Sequence, residues 1–107
     1  MAGNIGGAIS APRSKRFYTD TISLGTADTQ TSYQFPLSMK SFVLHARNGN
    51  ELRMATTSGK VAGSVDPYFT LKSNTSYDNG DLNLSAAQTV YFSCSVDNEV
   101  IEIIIGV

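Results

Sequence analysis

From Phe17 onward, turn-forming residues punctuate this chain every eight to twelve positions, and apolar and polar side chains alternate between them. A period of two belongs to a strand with one face buried, and no stretch shows the 3.6-residue period of a helix. Residues 17–24 place Ile22 and Leu24 on one face, and residues 30–35 place Tyr33 and Phe35 together. In residues 41–47, Phe42, Leu44 and Ala46 point one way while Val43, His45 and Arg47 point the other. Asn48-Gly49 follows, a pair that tolerates the positive φ of a tight turn, so residues 51–56 are expected to return antiparallel as a hairpin with Leu52 and Met54 facing in. Residues 67–72, a brief piece at 82–84, residues 89–96 and residues 99–107 complete the set, with Val90, Phe92, Cys94 and Val96 on one side of the seventh. Asp97-Asn98 reads as a second tight turn. The spacing predicts an all-β chain: an antiparallel β-sandwich, jelly-roll-like, of about eight strands. Residues 57–67 and 73–81 read as loops, the first being the longest connection and a candidate contact surface.

Ahead of these strands, residues 1–16 hold three glycines, one proline, three bases and no acid. They read as an extended basic arm, leaving residues 17–107 as a single sandwich body. Arg13, Lys15 and Arg16 give the arm a charge of +3, whereas the body, with five bases and nine acids, stands at −4. An acidic body argues against a broad nucleic-acid-binding face. The arm bases suit an acidic protein surface or a few phosphates, and a protein partner is the expected one. One cysteine excludes an intramolecular disulfide framework. No run of apolar residues is long enough for a membrane helix, and the N-terminus has no signal-peptide core, so synthesis in a cytoplasm is expected, with no membrane partner.

The last strand constrains function most. Ile101, Ile103, Ile105 and Val107 share one face, but Val100 and Ile104 make the other face apolar as well, interrupted only by Glu102. A sandwich strand with one wet face should be polar at alternate positions. The outer face at Val100, Glu102 and Ile104 is therefore expected to be covered, by the arm or a loop of the same chain or by a second subunit.

Candidates for chemistry are few. His45 is the only histidine and reads as a polar-face or interface residue. Cys94 alternates with Val90 and Phe92 and reads as a small buried apolar residue. Asp78, Asp81, Asp97 and Glu99 lie in or beside turns, where turn chemistry accounts for them. No nucleophile elbow, phosphate loop or metal-ligand spacing is present, so neither a catalytic residue nor a cofactor or metal is expected. The five tyrosines could serve a sugar-binding platform or pack at the core and rim.

The polar arm, the segment Phe42-Val43-Leu44-His45-Ala46-Arg47 leading into a tight turn, Tyr68-Phe69-Thr70-Leu71-Lys72-Ser73, the strand Val90-Tyr91-Phe92 and the closing residues 100–107 together resemble the small β-sandwich structural proteins of tailed bacteriophages. That resemblance is one of layout over most of residues 17–107. It implies a non-enzymatic virion component, most readily a capsid decoration or cement protein that binds the major capsid protein, with a neck or tail part as the alternative. It also implies a homo-oligomer located in the virion. A carbohydrate- or receptor-binding module, using the loops at 57–67 and 73–81, is the other open class.

Overall fold

A computed structural model describes residues 16–80, 82 and 84–107. The described residues form eight strands and no helix: β1 (Phe17–Ser23), β2 (Thr31–Phe35), β3 (Ser41–Ala46), β4 (Leu52–Ala55), β5 (Phe69–Leu71), β6 (Ser76–Asn79), β7 (Gln88–Cys94) and β8 (Val100–Gly106). They make two four-stranded antiparallel sheets, ordered β1-β8-β3-β6 and β2-β7-β4-β5. Each successive connection crosses from one sheet to the other, except that between β4 and β5. This is the jelly-roll arrangement of a β-sandwich.

The alternation read from the sequence decides which side chains fill the space between the sheets. Phe42 and Leu44 of β3, Val90, Phe92 and Cys94 of β7, and Ile101, Ile103 and Ile105 of β8 all point inward and are buried. Three isoleucines at or below 1% exposure make β8 the centre of the core. Burial of each contributes roughly 2–3 kcal/mol of transfer free energy. Phe35, Phe42 and Tyr77 extend the core toward one edge through ring contacts at 4.8 and 5.7 Å, and Phe69 continues the row at 5.4 Å from Tyr77.

The expected hairpin between residues 41–47 and 51–56 does not form. β3 pairs with β6 and β8, whereas β4 pairs with β5 and β7 in the opposite sheet. Asn48-Gly49 makes a tight turn, with Gly49 at φ +78°, but the turn carries the chain between layers. Positive φ licenses the reversal; it does not select the partner of the returning strand. That choice belongs to the apolar inner faces of β8 and β7, which each capture one arm of the turn.

The segment at 73–81, expected to be all turn, contains β6, and the strand expected at 82–84 is not one: Leu82 and Leu84 lie outside strands, half-buried against the core. Ser76–Asn79 pairs because β3 offers it a free ladder, and an edge strand needs only Tyr77 as an inward anchor. Asn74, at φ +59°, absorbs the turn that precedes it. Val96 lies beyond the end of β7 and is exposed, so it does not extend the inward row. The turn at Asp97-Asn98 is present, with Asn98 at φ +62° and its N–H donating to the Gly25 carbonyl at 2.6 Å.

The loop at 57–67 folds back onto the outer face of the second sheet. Val61 is fully buried there, and its carbonyl accepts a 2.8 Å hydrogen bond from the buried Ser93 hydroxyl. Gln30 fastens the loop from the side, donating to Ser58 Oγ and accepting from the Gly59 N–H. Arg53 donates to Ser64 Oγ and to Asp28, tying the loop to the turn after β1.

Candidate functional site

The two outer faces of the sandwich differ. The second sheet is covered at its centre by the loop just described. On the first sheet, described residues leave apolar side chains open. Pairing sets the rows across that face: Thr19, Ile104, Val43 and Asp78 form one; Thr21, Glu102, His45 and Ser76 form the next. Ile104 is 44% exposed and Val43 42%, and they are direct cross-strand neighbours. Phe17, 73% exposed, stands one row above beside Gly106, which has no side chain to cover it. These positions border or line a shallow concavity of about 520 Å³ that also includes His45, Arg47 and Glu102.

Glu102 is the polar centre of this face. Its Oε2 accepts from Arg47 Nε at 2.9 Å, and its Oε1 lies 2.8 Å from His45 Nε2. Donation from Arg47, then from His45, holds the carboxyl below its usual range. The group is therefore ionised at neutral pH, and both partners sit toward one end of the concavity. Ser76 stands opposite His45 in the register. The arrangement is an ion cluster at one end of an apolar shelf.

Of the expected binding residues, Ile104 is exposed, Glu102 is partly exposed and Val100 is half-buried, all on the outer face of β8. Arg16 is exposed, and its backbone pairs in both directions with Val107, at 2.9 and 3.3 Å, which prolongs the β1–β8 ladder by one residue. Arg13 and Lys15 lie outside the described residues. Val43 and Arg47 join the face although sequence reasoning did not single them out as binding residues, together with His45, which reads from the sequence as a polar-face or interface residue. The signal was present, since the three share one phase of β3, but only the β3–β8 pairing places them beside Ile104 and Glu102.

Other candidates resolve into packing. Cys94 is buried in the core. Tyr77 packs between Phe42 and Phe69. Tyr33 donates to Asp20 Oδ2 at 2.8 Å, and burial together with that bond pushes its phenol well above the usual tyrosine range. Glu99 is fully buried: Oε1 accepts from the N–H groups of Val100 (2.8 Å) and Asn48 (3.1 Å), and Oε2 from the N–H (3.3 Å) and side-chain amide (2.7 Å) of Asn50. Among the described residues no cluster of His, Cys, Asp and Glu could hold a metal ion.

The chain matches no family model and no curated protein. Among solved structures it is similar to a chain from the disulfide-linked pili of Bacillus endospore appendages, at 12% sequence identity and a TM-score of 0.40, covering 98% of this chain and 99% of that one.

Proposed function

We propose that this protein is a non-enzymatic structural subunit that works by docking the outer face of its first sheet on other protein subunits. The observation that supports this reading is the asymmetry between the two outer faces. One is closed by the chain's own loop around Val61 and Ser93; on the other, the described residues leave Ile104, Val43 and Phe17 exposed. A central strand that is apolar on both faces is costly to leave in water, and burying the remaining exposed surface of Ile104 and Val43 is worth about 1 kcal/mol each. The sandwich supplies a rigid platform, since the inner side of the same strand is anchored by three fully buried isoleucines.

The layout resemblance makes the particle of a tailed bacteriophage the first setting to examine. There the protein would act as a capsid decoration or cement component, or as part of the neck or tail, with copies of itself and the major capsid protein as partners. Size-exclusion chromatography with light scattering tests the docking face directly. The wild-type chain is expected to give an oligomer that Ile104→Lys converts to smaller species. The urea midpoint should stay the same, because residue 104 is exposed in the single chain. A wild-type chain that stays monomeric at all concentrations would remove self-association from this reading. If, in addition, Ile104→Lys bound isolated particles as well as wild type, the docking face itself would be wrong.

A further inference from the structure

We infer that the occupant of the concavity on the first sheet is the N-terminal segment, residues 1–15, of a second copy of this chain. This rests on the assembly reading above and specifies what covers its docking face.

Three observations converge on this occupant. The first is where the segment joins the body. Arg16 is still part of the ladder, bonded on both sides of its peptide to Val107. The chain at that point runs along the line of β1. The concavity lies in the opposite direction, beside Thr19, Thr21, Ile104 and Glu102. Covering its own concavity would require the segment to reverse direction, whereas reaching another body requires no reversal. Fifteen residues span up to about 50 Å when extended, well beyond the width of the sheet.

The second observation is shape and polarity. Residues 1–15 contain two isoleucines, Ile5 and Ile9, among glycine, alanine, serine and asparagine. Their separation of four places both on one side of an extended strand, roughly 13 Å apart. Such a segment offers two apolar anchors on an otherwise slim chain. One of these anchors has an apolar floor to rest on, the exposed cross-strand pair Ile104 and Val43. The third observation is charge. The segment's charged side chains are Arg13 and Lys15, and it carries no acid. On the same face the Asp78 carboxylate is exposed in the row of Val43 and Ile104, while Glu102 is already joined to Arg47 and His45. Each copy has one such segment and one such face. Engagement is therefore reciprocal between two copies, or runs head to tail into a ring or filament.

The test uses two full-length chains refolded together. One carries a nitroxide spin label at Ser10→Cys, beside the anchor Ile9 and not in place of it, and Cys94 stays unlabelled because it is buried. The other is isotope-labelled and carries no spin label. Amide signals of Val43 and Ile104 in the labelled copy should lose most of their intensity, while Thr70, on the second sheet, keeps its own. Introducing Ile104→Lys into the labelled copy should weaken this at least ~tenfold in concentration dependence. Raising salt should weaken it too, through Arg13 and Lys15. Broadening seen only when both labels are on the same chain would overturn the inference in favour of self-coverage. No broadening in a mixture that light scattering shows to be oligomeric would overturn it as well, while leaving the assembly reading standing. No broadening in a strictly monomeric sample would overturn both the inference and self-association.

Discussion

Replacing Glu99 by alanine should destabilise this sandwich more than any surface substitution, although the residue sits beside a turn. Its carboxylate is fully buried and accepts four hydrogen bonds, three of them from Asn48 and Asn50 in the turn joining β3 to β4. It thereby fastens two inter-sheet connections to each other. A hydrogen bond to a charged acceptor is worth about 1.5–3 kcal/mol, and the longer contacts at 3.1 and 3.3 Å contribute least. Counting only the two short bonds, and allowing water to reach part of the vacated site, the expected loss is about 3 kcal/mol. That is a large share of the 5–15 kcal/mol typical of a domain. It should lower the thermal midpoint by at least ~12 °C. Urea unfolding by far-ultraviolet circular dichroism, with the slope unchanged, reads the difference.

The same group has a pH signature. Burial pushes the Glu99 carboxyl up, but the donors from Val100, Asn48 and Asn50 outweigh it and hold the carboxyl below its usual value. A folded-state pKa below the unfolded one means that the unfolded chain binds the proton more readily. This stability is therefore fully present above about pH 4.3, the ordinary glutamate value, and is lost as pH falls through the folded value. Glu99→Gln should remove that acid-side component while keeping part of the hydrogen bonding. A Glu99→Ala variant within ~1 kcal/mol of wild type, or a Glu99→Gln variant with an unchanged acid limb, would refute this account of the corner.

Two further substitutions test neighbouring parts of the argument. Gly49→Ala adds a Cβ at φ +78°, a backbone region that L side chains rarely adopt, and sets it against Asn74 Oδ1; a loss of about 1–2 kcal/mol in urea unfolding is expected, with the fold retained. Ser93→Ala leaves the Val61 carbonyl without its buried donor, so about 1–2 kcal/mol should be lost, and hydrogen exchange should rise in residues 57–67 before it rises in β8.

The fold class was legible because strand periodicity is local. Alternation in residues 41–47 and 89–94 already separates inward from outward side chains, and the structure keeps those assignments for Phe42, Leu44, Val90, Phe92 and Cys94. The double-sided apolar character of residues 100–105 was legible for the same reason, and it pointed to the face where Ile104 is exposed. Ser93 departs from simple alternation because a loop thirty residues earlier in the chain lands on it. No pattern within β7 carries that information. Val43, His45 and Arg47 could be grouped by phase but not placed, since phase says which side of a sheet a residue occupies and nothing about which strand lies beside it.

The sequence by itself determined that this chain forms short strands, where most of them turn, and which side of each is apolar, because these follow from steric preference and a period of two within a few residues. Only the tertiary structure decided that the Asn48-Gly49 turn joins two sheets instead of two neighbours, that Ser76–Asn79 finds an edge, that Glu99 is a buried lock, and that one outer face is roofed by the loop at 57–67 while the described residues leave the other uncovered. Each of those depends on pairing between segments far apart in the chain. The free energy that selects such pairing comes from burying both partners at once and is written in neither segment alone.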